Sequence, residues 1–118
     1  MSTVARCLIL DDDPMFREIL ERIARGLGLD PTVVSNAPAA VDAILQRDYD
    51  VVLLDLRLAG DQNSSPVFEA IRRSKPHLLP RVLCVTGSPE MMHKVALDVP
   101  CVAKGNLETL GEKIRALL

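Results

Sequence analysis

The chain has 118 residues, of which 48% are apolar, and it carries 14 basic and 16 acidic side chains for a net charge of -2. This length suits one domain, over residues 1–118, and the apolar content is enough for a buried core. The charge balance argues against binding to nucleic acid, and no apolar stretch is long enough to cross a membrane. The cysteines Cys7, Cys84 and Cys101 lie within apolar runs, which predicts reduced, buried thiols and a cytoplasmic protein.

Strand and helix patterns alternate five times along the chain. Short apolar runs predict strands over residues 5–10, 32–35, 51–54, 81–86 and 101–103. Each run is followed by a stretch with helical spacing of apolar residues or with a helix-start signal. The alternation predicts an α/β fold: one doubly wound, parallel, five-stranded sheet with flavodoxin-like strand order 2-1-3-4-5 and helices on both faces.

The helix starts are marked by proline and by small polar residues. Pro14–Gly26 is the first predicted helix and Ser65–Ser74 is the third. Asn36, Ser88 and Asn106 are the predicted N-caps of the second, fourth and fifth helices. The predicted inner faces are Val41, Ile44 and Leu45 in the second helix, and Leu107, Leu110, Ile114 and Leu117 in the last.

Polar residues stand at the carboxyl ends of four of the predicted strands. Asp11 and Asp12 follow the first strand and Asp55 follows the third, while Thr86 ends the fourth and Lys104 follows the fifth. In a parallel sheet these strand ends share one edge, and ligand sites are built there. An acidic cluster, a hydroxyl and an ammonium are therefore expected to meet around one pocket.

The chemistry of this set indicates a divalent cation and a phosphoryl group. Clustered carboxylates repel one another unless a cation neutralises them, and Mg²⁺ prefers one or two carboxylates together with water and a phosphoryl oxygen. A carboxylate at Asp55 could attack phosphorus once the surrounding charge is neutralised. Thr86 could donate a hydrogen bond to one phosphoryl oxygen, and Lys104 could pair with another.

With these motifs the chain resembles the receiver domain of bacterial two-component response regulators over essentially its whole length. The resemblance rests on the order and spacing of four motifs: Leu10-Asp11-Asp12-Asp13-Pro14, Leu54-Asp55-Leu56, Val85-Thr86-Gly87 and Lys104.

The resemblance implies a role for each acidic residue. Asp55 would be the phosphoacceptor, which takes a phosphoryl group from the phosphohistidine of a histidine kinase or phosphotransfer protein. Asp11 and Asp12 would hold Mg²⁺ together with Asp55 and the backbone carbonyl of Arg57. Such a receiver is not a conventional enzyme, because it catalyses its own phosphorylation and dephosphorylation.

The resemblance also implies how the signal leaves the domain. Thr86 would follow the phosphoryl group and transmit the switch, while Lys104 would pair with the phosphoryl oxygens. The output would be a phosphorylation-dependent surface for a partner protein that the sequence does not identify. Nucleic acid and membrane are not expected partners of this chain, and the family also allows a homodimer.

Several positions depart from the family pattern. Cys101 stands where the family usually has an aromatic residue, and Gly105 follows the lysine in place of proline. The stretch from Thr86 to Lys104 is short for the family, so the helix predicted after the fourth strand is expected to be curtailed. The loop over residues 59–64 looks rearranged.

Two other functions are compatible with parts of the pattern. The missing aromatic residue at Cys101 and the curtailed fourth helix favour a pseudo-receiver, which keeps the fold as a protein-interaction module without phosphorylation, whereas the intact set of Asp, Thr and Lys opposes it. A small haloacid-dehalogenase-like phosphatase would use Asp11 and Asp13 as its Asp-x-Asp pair, but Asp55 would then have no clear role.

Overall fold

The computed structural model of the protein describes residues 4–55, 65–87 and 100–118. Within these ranges, five parallel strands form one sheet in the order β2-β1-β3-β4-β5, which confirms the predicted fold class and strand order. The strands are β1 (Arg6–Leu10), β2 (Asp30–Val34), β3 (Val51–Leu54), β4 (Val82–Thr86) and β5 (Cys101–Ala103).

Four α-helices and one 3₁₀ helix accompany the sheet in the described ranges. They are α1 (Pro14–Gly26), α2 (Ala37–Gln46), α3 (Ser65–Ser74), the 3₁₀ helix Pro76–Arg81 and α4 (Leu107–Leu117). None of the helices within residues 4–55, 65–87 and 100–118 has the length and apolar character needed to cross a membrane.

The helix caps account for where α1 and α2 begin. The Asp13 carboxylate accepts a hydrogen bond from the Met15 amide at 3.0 Å, and Asn36 accepts one from the Ala39 amide at 2.8 Å, as predicted for Asn36. Asn106 stands at the predicted N-cap position of α4, but its side chain makes no capping hydrogen bond within the described residues. Its backbone (φ -125, ψ 67) lies outside the extended conformation that an N-cap usually adopts.

Four strand boundaries differ from the prediction, of which the start of β1 at Arg6 and the end of β2 at Val34 are shifted by one residue. β2 begins at Asp30, two residues earlier than expected, and includes Pro31 opposite Cys7 of β1. A proline is tolerated there because β2 is an edge strand, where the missing N–H need not contribute to a ladder. β4 begins at Val82, since Arg81 belongs to the 3₁₀ helix.

The sheet is buried on both faces. Leu8 and Leu10 pack into one apolar cluster, while Cys7 and Ile9 pack into the other. This division follows from the alternation of side chains along a strand. All four residues of β3 are fully buried, as a central strand requires.

The inner face of α2 differs from the predicted one. Ile44 is fully buried, but Leu45 is 53% exposed, so its assignment to the buried stripe is wrong. Adjacent helical residues point about 100° apart, and the buried positions beside Ile44 are those of Ala37 and Ala40. In α4 the predicted stripe holds: Leu110 and Ile114 are buried, and Leu107 and Leu117 pack against the same cluster.

Several sequence-based expectations fall outside the described residues. They concern the loop over residues 59–64, the backbone carbonyl of Arg57, the helix predicted to begin at Ser88, and the side chain of Cys101.

Candidate functional site

The carboxyl ends of the strands bring the predicted residues to one edge of the sheet. Backbone hydrogen bonds continue the strand pairing just beyond the strands: the Asp55 amide donates to the Leu10 carbonyl and the Lys104 amide to the Thr86 carbonyl, both at 2.9 Å. Asp11 follows β1 directly, and its amide donates to the carbonyl of Val34 at 3.3 Å. The four predicted strand ends are therefore held together by the sheet itself.

Burial singles out the same edge. Of the described residues, those that are polar or charged and buried are Asp11, Asp55 and Thr86. Burying such groups is costly unless partners or ions compensate them. Since all three lie at one sheet edge, the cost is concentrated where the sequence predicts chemistry.

Three carboxylates form a compact acidic cluster. Asp11, Asp12 and Asp55 each offer one oxygen atom, and these atoms lie within 4.8 Å of one another. Asp11 is fully buried, Asp55 is nearly so, and Asp12 is half-buried. The cluster therefore joins two buried carboxylates to one that is open to solvent.

Lys104 lies between the two buried carboxylates. Its Nζ is 2.9 Å from Asp11 Oδ2 and 3.0 Å from Asp55 Oδ2, and 20% of its side chain is exposed. Desolvation, the largest single effect, lowers the pKa of Lys104. The attraction of the Asp11 and Asp55 carboxylates outweighs it, so the pKa is held above the usual value for lysine. The ammonium is therefore charged at neutral pH.

Asp11 is fixed by its surroundings but keeps acceptor capacity at one oxygen. Its Oδ1 accepts from the Asp13 amide at 2.9 Å, and its backbone carbonyl accepts from Arg17 Nη1 at 3.0 Å. Its Oδ2 is buried, and the partner that the described residues offer it is the Lys104 ammonium, 2.9 Å away. A buried carboxylate oxygen with spare acceptor capacity in an all-oxygen cluster fits a hard cation such as Mg²⁺.

The structure also brings two residues to the site that the sequence did not assign to it. Phe16, which the sequence places on the apolar face of α1, lies with its ring centroid 4.5 Å from Lys104 Nζ. Arg17 contacts the backbone of Asp11. The sequence places both residues in the first turns of α1, which begins directly after the acidic triplet, and this position is the feature that could have assigned them to the site.

Residues 7–101 match the family model described as the response regulator receiver domain. The chain belongs to this family. Receiver domains are phosphoacceptor modules of two-component signalling rather than conventional enzymes, and they bind Mg²⁺ at an acidic pocket of this kind. This membership disfavours the dehalogenase-like phosphatase.

Individual relatives agree with the family assignment. The DNA-binding response regulator MtrA of Mycolicibacterium smegmatis is 42% identical over 55 residues, which cover 47% of this chain and 24% of MtrA. The chain thus matches only about a quarter of the length of this curated relative.

Solved receiver structures match nearly the whole chain. The response regulator TrrA of Thermotoga maritima, in complex with Mg(2+)-BeF, superposes with a TM-score of 0.83 at 26% identity, covering 97% of this chain and 99% of that one. TrrA in complex with the histidine kinase ThkA gives a TM-score of 0.82 at 26% identity, with 97% and 98% covered.

Proposed function

We propose that this chain, as one domain over residues 1–118, is a phosphorylatable receiver in which Asp55 accepts a phosphoryl group from the phosphohistidine of a histidine kinase or phosphotransfer protein. The observation that carries the proposal is the convergence of Asp11, Asp12 and Asp55 with Lys104 at one buried sheet edge. The cytoplasm is the compartment that fits such a role.

In the proposed reaction a carboxylate oxygen of Asp55 attacks phosphorus. A bond forms between this oxygen and phosphorus to give an acyl phosphate. The bond between phosphorus and the donor histidine breaks, and the imidazole nitrogen keeps its electron pair. Since Lys104 Nζ already lies 3.0 Å from Asp55 Oδ2, it is placed to neutralise charge on the incoming phosphoryl oxygens.

Asp11, Asp12, Asp55 and the backbone carbonyl of Arg57 would hold Mg²⁺. When bound, Mg²⁺ supplies positive charge that reduces the repulsion between the acceptor carboxylate and the phosphoryl oxygens. Asp11 is suited to its role because Asp13 and Arg17 fix its position while its Oδ2 keeps acceptor capacity.

The signal would leave through the fourth strand. Thr86 is fully buried at the end of β4, and we assign to its hydroxyl a hydrogen bond to a phosphoryl oxygen of phosphorylated Asp55. A shift of Thr86 toward that oxygen would alter the surface near the end of β4, which an output protein or a second copy of the chain would recognise. The chemistry of the site does not specify the output partner.

The proposal is tested by intact-mass spectrometry after incubation with Mg²⁺ and acetyl phosphate. Wild type is expected to gain one phosphoryl group, and Asp55→Asn none. Asp42→Asn is the matched control, because Asp42 is an exposed carboxylate on α2. Unchanged labelling of Asp55→Asn would refute the acceptor assignment.

One other function is favoured by a specific observation. Cys101 occupies the position of the family's usual aromatic residue, which suits a pseudo-receiver that binds partners without phosphorylation. Absence of labelling by both acetyl phosphate and histidine kinase, together with no binding of Mg²⁺ or beryllofluoride, would favour that function.

A further inference from the structure

The ammonium of Lys104 has an aromatic neighbour as well as two carboxylates. Nζ lies over the ring of Phe16, 4.5 Å from its centroid, within the range of a cation–π interaction. Phe16 is partly buried and packs against the apolar cluster shared by α1 and α4. Apolar packing therefore holds the ring, and one face of the ring is directed toward Lys104.

We propose that Phe16 is a positioning residue for Lys104, whose ring keeps the ammonium beside the acceptor carboxylate when a metal ion occupies the acidic cluster. The inference rests on the proposed function and adds to it a residue that does not touch the phosphoryl group.

A bound metal ion and the Lys104 ammonium would compete for the same carboxylates. Within the described part of the chain, the anionic partners of Lys104 are Asp11 and Asp55, which are also proposed metal ligands. A bound divalent cation shares their charge and repels the ammonium, so their hold on Lys104 weakens. Phe16 is uncharged and is not a ligand, so its attraction for the ammonium persists in both states.

Because a lysine side chain is flexible, the attraction to Phe16 affects where the Lys104 ammonium lies. A lysine side chain has a flexible four-carbon stem, so an ammonium with weakened partners would sample many positions. The aliphatic part of Lys104 passes Gly87, where an added Cβ would lie 3.6 Å from Cδ. The stem is thus held close to the backbone, and the ring of Phe16 restrains the tip.

The position of the ring is fixed from two sides. The Asp13 cap anchors the first turn of α1, and Arg17 Nη1 donates to the carbonyl of Asp11 at 3.0 Å. These bonds tie the start of α1 to the end of β1. These bonds fix the backbone around Phe16, and the packing of Phe16 against the apolar cluster restrains its ring.

The kinetic test compares variants of Phe16 in the full chain. We expect Phe16→Leu, which keeps an apolar side chain but removes the π face, to slow Mg²⁺-dependent labelling by acetyl phosphate about fivefold. Phe16→Tyr, which keeps the ring, should label within about twofold of wild type. Ile23→Ala is the matched control, because Ile23 also packs from α1 against the same cluster and its loss should lower the melting temperature without slowing labelling.

A spectroscopic test does not depend on phosphorylation. The ring current of Phe16 should shift the Lys104 Cε protons upfield in the NMR spectrum, with and without Mg²⁺. Phe16→Leu should abolish this shift, whereas Phe16→Tyr should retain it. A shift that persists in Mg²⁺ is the result expected if the ring stays over the ammonium when the metal is bound.

The outcomes separate the two proposals. Equal labelling rates for wild type and Phe16→Leu, or a Tyr variant as slow as the Leu variant, would overturn the role of Phe16 and leave the acceptor assignment intact. If wild type takes no label from any donor, the proposed function fails. In that case the NMR measurement tests the role of Phe16 without phosphorylation. Absence of the upfield shift of the Lys104 Cε protons in Mg²⁺ would overturn the inference.

Discussion

Replacing Lys104 by methionine removes the cation that compensates two buried carboxylates. Methionine keeps a long, unbranched stem, so the change is chiefly one of charge. Asp11 would remain fully buried and Asp55 nearly so, without the ammonium that now lies 2.9 and 3.0 Å from them. Lys104→Met should therefore destabilise the metal-free protein.

The magnitude follows from the burial of the pair. Removing one partner of a fully buried ion pair costs about 3–5 kcal/mol, because the other charge is left uncompensated. Lys104 keeps 20% of its side chain in water, which places its loss at the lower end, about 3 kcal/mol at neutral pH. For a domain of this size that corresponds to a fall in melting temperature of about 10 °C.

The assay is denaturant unfolding of both proteins, first with chelator and then with Mg²⁺. Because Mg²⁺ in the variant meets no competing ammonium, it should stabilise Lys104→Met more than wild type and narrow the gap by about 1 kcal/mol or more. Arg22→Met is the control, because its ion pair with Glu18 is largely exposed, and its loss should cost less than about 0.5 kcal/mol.

The pH dependence of the free energy of unfolding tests the contribution of Lys104 further. Since the pKa of Lys104 is raised in the folded state, its contribution is present at neutral pH and is lost as pH rises above the usual lysine value of 10.5. The gap between wild type and variant should shrink in that range. A gap below about 0.5 kcal/mol at neutral pH, or one that Mg²⁺ leaves unchanged, would contradict the role of Lys104 in compensating the buried carboxylates.

Three further predictions concern the scaffold. Asn36→Ala should lower the free energy of unfolding by about 1 kcal/mol through loss of the α2 cap, without changing acetyl-phosphate labelling; no loss of stability in urea would contradict the cap. Ile44→Ala should cost about 3 kcal/mol and Leu45→Ala less than about 1, because only Ile44 is fully buried; equal costs would contradict the assigned face. Burial raises the pKa of the Cys7 thiol to about 12, so iodoacetamide should modify Cys7 only after unfolding; rapid modification of the native protein, read by peptide mass, would contradict its burial.

The sequence was sufficient for the fold because its strongest patterns are those that determine sheet topology. The apolar runs of β1, β3 and β4 are buried on both faces, and such runs carry a clear signal for parallel strands. Strand ends in a parallel sheet share an edge whatever the loops do, so the meeting of Asp11, Asp55 and Lys104 could also be predicted.

What the sequence could not provide are features that depend on packing angles and local backbone geometry. Leu45 fits an apolar stripe in the sequence, yet the rotation of α2 leaves it exposed. Asn106 has the residue type and the position of a cap, but its side chain makes no capping hydrogen bond. The contact of Phe16 with Lys104 joins residues far apart in the chain, and its apolar spacing alone marks Phe16 only as a core residue.

Locating the phosphorylated residue would show whether Asp55 is the phosphoacceptor. After incubation with Mg²⁺ and acetyl phosphate, borohydride reduction converts an aspartyl phosphate to homoserine, which peptide mass spectrometry locates. We expect homoserine at position 55 alone, and none when Mg²⁺ is chelated. Homoserine at Asp11 would contradict the account and favour phosphatase chemistry, and labelling of Asp55 that is unaffected by chelation would contradict the proposed metal site.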